Sequence, residues 1–201
     1  MRRLVGVVLM LGFLCSAVWS GVAAASPRPL PLSARLLKPG EFAGFTLDRP
    51  MSYRSMRALI AASPGLSPAQ ARAEIAQAKR EGFKEVTYEW LIDAQGLRSG
   101  LSSVAQYGSA ALAKAGLATT VHFATILGQT RERLRVRTVP GAVGLSASNF
   151  NAHSENILFT DGPFVFAVGD KWIGSARNPR RAALLNAAAK LYTRVHGHPA
   201  E

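Results

Sequence analysis

Arg133, Arg135 and Arg137 alternate with Leu134, Val136 and Thr138 in the stretch RERLRVRTV. Side chains along a strand alternate between faces, so the pattern predicts three guanidiniums on one open face, repeating at about 6–7 Å. Arginine forks match the geometry of carboxylates and phosphates. With Arg131 nearby, an anionic ligand could lie along such a row. The competing account is a solvated sheet face whose arginines pair across strands with Glu85 and Glu89, an arrangement that adds little stability. Trp172, beside Asp170 and Lys171, is the aromatic side chain expected at the surface, and it joins the three arginines as a candidate ligand contact.

Other reactive residue types are present without the spacing that chemistry needs. His153-Ser154-Glu155 has the composition of a hydrolytic triad, but sequence neighbours on an extended chain point to opposite sides, and a triad must converge beside an oxyanion hole. No Gly-x-Ser-x-Gly elbow occurs. The triplet is read as part of a polar loop, Asn149 to His153 and on, with no catalytic role. Of the histidines His122, His153, His196 and His198, only the last two are close in sequence, and no His-x-x-x-His or carboxylate cluster supports a built metal site. Gly141 to Gly144 lacks the strand–loop–helix setting and the lysine of a phosphate-cradling loop. No metal or cofactor is expected. Tyr88, Trp90, Phe164, Phe166 and Tyr192 read as core, with an apolar pocket between helix and sheet as the other use for them.

These residues must be positioned by strands. Asn156 to Gly169, NILFTDGPFVFAVG, places Asp-Gly between two apolar runs, a strong hairpin signal. Phe164, Phe166 and Val168 fall on one face and Val165 and Ala167 on the other, so the second strand belongs inside the sheet. Pro163 must sit at a strand's first position or at a bulge. Phe83 to Ile92 and Leu97 to Tyr107 read as an antiparallel hairpin around Asp93-Ala94-Gln95-Gly96, with Val86, Tyr88, Trp90 and Ile92 on the covered face and Thr87 and Glu89 on the solvated one. Ala142 to Ser148 is a further extended piece, and Gly44 to Leu47 a short edge strand.

Helices are expected at Ser52–Ala62, from Ser67-Pro68 to Gly82, from Ser109 to about Ala124, and from Asn178-Pro179 to about Val195. The last has a broad apolar stripe, Leu184, Leu185, Ala188, Tyr192 and Val195, and should cover one face of the sheet. Asp170 to Trp172 reads as a turn or loop. Strands that follow one another without repeated βαβ alternation indicate an α+β fold: a mainly antiparallel sheet covered by helices, with the C-terminal helix packed on it.

The chain opens as an export signal. Met1-Arg2-Arg3 precedes an apolar run from Leu4 to Trp19, and Ala23-Ala24-Ala25 supplies a small-x-small cleavage site. Cleavage is expected after Ala25, with retention of the segment as an anchor the other reading. Residues 26–50 form a Pro-rich N-terminal arm in which Leu36, Leu37 and Phe42 could dock, and residues 51–201 a single domain. Cys15 is the only cysteine, so the cleaved chain has no disulfide, no thiol chemistry and no cysteine metal site. Losing Arg2 and Arg3 takes the formal charge from +12 to +10. That balance suits an anionic partner, an anionic lipid or wall polymer, or simply a soluble basic surface. An exported destination argues against nucleic acid.

In order, the chain runs through a cleaved signal, LLKPGEFAGF, a helix ending AKREGF, an antiparallel hairpin, VPGAVGL, NILFTDGPFVFAVG and a terminal helix. This arrangement resembles secreted proteins of unknown function common in high-GC bacteria and is similar to extracytoplasmic α+β sensor and lipoprotein-like domains. The resemblance implies an envelope-associated, non-enzymatic role and supplies no catalytic residues. Leu14, before Cys15, departs from the lipobox of the lipoprotein-like members. Three functions follow: an exported, non-enzymatic binding or sensing module, an exported hydrolase, or a structural partner of another secreted protein, which would show an exposed apolar patch with Trp172 or Tyr107 in it. The first requires Arg135 and Arg137 exposed beside a groove. The second requires a buried acid or histidine within hydrogen-bond distance of a serine or aspartate.

Overall fold

The computed structural model describes residues 30–48, 50–62, 67–126, 132–149, 151–174 and 177–196. The signal segment with Cys15, the start of the Pro-rich arm, Arg131 and His198 lie outside them.

The expected hairpin is the middle of the molecule. Strand β7 (Ala152–Asp161) pairs antiparallel with β8 (Phe164–Ile173). Asp161 lies opposite Phe164, so Gly162 and Pro163 form the two-residue loop, with Gly162 at φ 53. That left-handed value is one that glycine adopts without steric cost. Pro163, which has no N–H to donate, stays out of the ladder, and its carbonyl accepts the Tyr107 N–H at 2.9 Å. On its other side β8 pairs with β4 (Ser99–Tyr107), so β8 is an interior strand. Both strands outrun their apolar runs. Asp170, Lys171 and Trp172 are strand residues, not a loop, and His153 begins β7 instead of ending a loop. Pairing on both sides carries the ladder through these polar positions, and their inward side chains find polar partners.

The sheet has eight strands in the order β1-β3-β4-β8-β7-β6-β5, with β2 also paired to β3. Here β1 is Phe45–Leu47, β2 Met51–Tyr53, β3 Phe83–Asp93, β5 Glu132–Leu134 and β6 Val143–Asn149. Every pairing is antiparallel. The fold is α+β, as the element order indicated. Helix α1 (Met56–Ala62) starts later than expected, because Ser52 and Tyr53 belong to β2. Tyr53 pairs in register with Val86 and its ring stacks on Tyr88 with centroids 5.7 Å apart. Ser55 then caps the helix, its Oγ accepting the Ala58 N–H. Helix α2 (Pro68–Arg80) is closed by a full capping box between Ser67 and Gln70.

Helix α3 (Ala110–Ile126) covers one face of the sheet. Ala113, Leu117 and Val121 meet Tyr107, Leu145, Leu158 and Val165 there. Gly116 permits this approach: a Cβ at that position would stand 2.6 Å from the Tyr107 ring. Helix α4 (Arg181–His196) covers the other face, where Leu184, Ala187, Ala188 and Leu191 pack on Phe159, Phe166 and Val168. Leu32, Leu36, Leu37 and Phe42 belong to this same core, so the arm from residue 30 onward is built into it. Arg194 of α4 ties it down, bonding both Glu41 carboxylate oxygens and the carbonyls of Ala34 and Leu36.

The arm buries the face of β3 that was expected to be solvated. Thr87, Glu89, Leu91 and Asp93 are buried on the side the arm covers, while on the expected side Val86 is buried but Trp90 and Ile92 are 44% and 46% exposed. Apolar residues line both faces of this strand, and the arm covers only one of them.

Phe166, fully buried and stacked on Phe159 at 5.0 Å, is the centre of the α4 core. Urea unfolding of Phe166→Ala is expected to show a loss of about 3–5 kcal/mol, and Ile173→Ala, at 66% exposure on the same strand, a loss within about 0.5 kcal/mol.

Candidate functional site

Only Arg133 of the arginine row stands in a ladder, opposite Leu145 on edge strand β5. Arg135 and Arg137 follow on an extended connector without strand pairing. The alternation still holds, with Arg133, Arg135 and Arg137 exposed and Leu134 and Val136 half-buried toward the core. Cross-strand pairing with Glu85 and Glu89 is not made, because β3 and β5 lie on opposite sides of the sheet. Among the described side chains, none of the three arginines is ion-paired to a carboxylate.

Arg133 and Arg135 converge with Arg181, from the first turn of α4, on a cavity of about 290 Å3. Leu134, Ile157, Leu184 and Leu185 line it, together with the buried Glu155. Arg137 does not line it. Arg133, at the sheet edge, also borders a second cavity of about 380 Å3 against α3, with Lys114 and His122. The first cavity therefore presents three guanidiniums and one carboxylate over an aliphatic floor.

Beneath it lies a polar layer inside the α4 face. Glu155 on β7 and Asp170 on β8 are opposite each other in register, and both are buried. Asn178, just before α4, donates from Nδ2 to Glu155 at 3.0 Å and to Asp170 at 3.1 Å. Its Oδ1 accepts the Arg180 N–H at 2.8 Å and an Arg98 guanidinium N–H at 3.1 Å. Arg98 ion-pairs with Asp170, and Arg181 ion-pairs with Glu155. Burial nonetheless pushes the Asp170 carboxyl above its ordinary range, against the opposing pull of Arg98 and Asn178. One of its oxygens, Oδ1, is sealed without a partner.

Trp172 is not at the surface. It is 3% exposed, stacks on His153 with centroids 5.6 Å apart, and carries the Arg98 guanidinium 5.8 Å from its ring. The reason is strand register: Phe164, Phe166, Val168, Asp170 and Trp172 share one face, and the face is buried to its end. Counting by twos from the apolar core would have found Asp170 and, on β7, Glu155. His153 accepts at Nδ1 from the Ser148 hydroxyl, at 2.8 Å, when Nε2–H donates to the Gly174 carbonyl at 3.1 Å. Ser154 points to the opposite face and takes no part. His196 bonds Asp161 at 2.9 Å.

Among the described residues no group of three or more His, Cys, Asp or Glu side chains could hold a metal ion. None of their helices is long and apolar enough to cross a membrane. No protein-family model and no curated protein matches the sequence. The fold is similar to the crystal structure of the extracellular domain of PknH from Mycobacterium tuberculosis. The TM-score is 0.56, with 14% identity over 85% of this chain and 99% of that one. At that identity the likeness establishes the fold.

Asn178 is the one neutral donor to two buried carboxylates. Losing it strands charge-assisted hydrogen bonds worth about 1.5–3 kcal/mol each, so Asn178→Ala is expected to lower stability by about 3 kcal/mol in urea unfolding. Asn178→Asp, of the same shape, is expected to cost more, because it sets a third carboxylate against Glu155 and Asp170.

Proposed function

We propose that this chain is an extracytoplasmic binding or sensing module with no catalytic step of its own, and that it takes an anionic group into the cleft of Arg133, Arg135 and Arg181. The observation that carries this reading is the convergence on one cavity of three arginines, two of them exposed and without a carboxylate partner. An exposed guanidinium beside an aliphatic wall suits a phosphate or carboxylate attached to an apolar body. An anionic lipid headgroup or wall polymer has that chemistry. The shared fold with an extracellular domain and the leader-like sequence of residues 1–25 support the location, and we place cleavage after Ala25 as part of this proposal.

Binding of residues 26–201 to vesicles with and without anionic lipid, over a salt series, tests this. The protein is expected to bind anionic vesicles more weakly as salt rises, and Arg133→Ser/Arg135→Ser to lose at least tenfold in affinity with an unchanged Tm. Equal binding to neutral vesicles, or an unaffected double variant, returns these arginines to ordinary surface.

A second reading, a hydrolase, rests on the Ser148–His153 hydrogen bond. The second ring nitrogen meets a backbone carbonyl where a triad has a carboxylate. A fluorophosphonate probe separates the two. The binding reading expects no labelling; covalent modification of Ser148, lost in His153→Gln, would favour the hydrolase.

A further inference from the structure

A larger cavity, about 500 Å3, lies under the docked arm, on the α4 face of the sheet and at the opposite end of α4 from the arginine cleft. Its walls are largely aliphatic, from Leu30, Leu36, Pro39, Leu47, Pro50 and Val195. That volume is in the range of small-molecule sites. Two charged residues in its lining are each 5% exposed: Glu89 of β3 and Arg35 of the 3-10 turn Leu32–Arg35.

Neither side chain has an ion-pair or hydrogen-bond partner among the described residues; the carboxylate of Asp161 acts on Arg35 only through its field and is itself bonded to His196. Among the described residues no donor bonds the Glu89 carboxylate, and no acceptor bonds the Arg35 guanidinium, which instead lies 4.2 Å from the Phe164 ring centre. Of their polar side-chain atoms only Arg35 Nε is sealed without a partner. The carboxylate oxygens of Glu89 and the two terminal nitrogens of Arg35 therefore keep some access. Among the described residues, the other charged groups around the cavity do not neutralise Glu89. Arg194 is taken up by Glu41 and two carbonyls, Lys38 is exposed at the rim, and Asp48 is a like charge. Burying a charge without a partner is costly, and proteins rarely leave such groups unsatisfied. Two of opposite sign in one aliphatic cavity call for a ligand that supplies both partners.

The sheet register gives the scale of that ligand. Glu89 is opposite Ser102, and Ser102 is opposite Val168; Phe164, beneath Arg35, lies four residues further along β8. Two strand spacings and four residues separate the backbones of Glu89 and Phe164 by roughly 16 Å. We propose that this cavity is a second binding site and takes an elongated zwitterionic amphiphile, with an ammonium at Glu89, an aliphatic middle, and a carboxylate or phosphate at Arg35.

Calorimetric titration with three probes of equal chain length tests this: 12-aminododecanoic acid, dodecylamine and dodecanoic acid, each below its micelle concentration. The zwitterion is expected to bind at least tenfold tighter than either singly charged probe. Glu89→Gln is expected to weaken the zwitterion and dodecylamine by tenfold or more and leave dodecanoate unchanged. Arg35→Met, which keeps an aliphatic stem over Phe164, is expected to do the converse. Arg133→Ser/Arg135→Ser is expected to change none of the three, so a failure of the arginine cleft is told apart from a failure here.

Folding of the key variant has its own readout. Burial, with the charge of Asp48, holds the Glu89 carboxyl above its ordinary range. The folded state then grips this proton more tightly than the unfolded chain does. That stabilisation is whole in acid and is lost as pH rises through the folded-state pKa. Glu89→Gln is therefore expected to raise the Tm at pH 7 and to lose that gain near pH 4. Three probes of equal affinity, no binding by the wild-type protein, or full zwitterion affinity in Glu89→Gln would overturn the proposal.

Discussion

The hydrogen-bonded bridge from Asn178 to Glu155 and Asp170 is the constraint on which the α4 side of this molecule depends. Two carboxylates face each other across neighbouring interior strands, where mutual repulsion and lost hydration both oppose them. Asn178 answers with both hydrogens of one amide, and Arg98 and Arg181 add one cation to each acid. The same amide carbonyl receives the Arg180 N–H at the start of α4. One side chain thus joins the sheet interior, the β3–β4 hairpin through Arg98, and the mouth of the last helix. Carboxylates at a helix N-terminus also meet the favourable end of its dipole. Helix α4 cannot change its angle on the sheet without breaking this network, so the cleft wall formed by Arg181, Leu184 and Leu185 is held in place.

The elements whose signals are local were legible in the sequence. Asp161-Gly162 marked the hairpin, Ser67-Pro68 the start of α2, and Ser109 the cap of α3, because turn and cap chemistry depends on a few adjacent residues. What covers a face is not local. Strand β3 carries Val86, Tyr88, Trp90 and Ile92 on one side and Thr87, Glu89, Leu91 and Asp93 on the other, and alternation favoured the more apolar set. The fold buries the second set because the arm of residues 30–48 lies on it. Leu37 donates its N–H to Ser102 in that layer at 3.0 Å, and Ser52 and Thr87 bond each other at 2.8 Å. Polar strand residues become interior ones when a distant segment brings them partners.

Trp172 and the arginine row show the same division at the candidate site. Lys171 beside Asp170 suggested a wet turn, yet the strand phase set by Phe164, Phe166 and Val168 carries Asp170 and Trp172 inward and only Lys171 outward. The alternation of Arg133, Arg135 and Arg137 was legible, and so was their exposure. Their convergence with Arg181 was not, since that residue comes from a helix far along the chain and is aimed by Glu155, a partner visible only once β7 is in register.

The charges of the α4 face sort into two kinds, and the sorting bears on function. Arg98, Arg181, Arg194, Glu41, Glu155 and Asp170 are consumed by one another, by Asn178 and by backbone carbonyls. Their electrostatic energy goes into holding α4, the arm and the sheet together, with little left to act on a third molecule. Arg133 and Arg135 at one end of α4, and Arg35 and Glu89 at the other, are excluded from that network, and each borders a cavity with aliphatic walls. Among the described residues these unengaged groups stand toward opposite ends of α4 beside apolar surface, the charge pattern that the proposed ligands would meet. For both proposed sites the same bonds matter: Asn178 and Arg181 fix the start of α4 to the sheet and Arg194 fixes its end to the arm, so the helix that walls both cavities is anchored at each end.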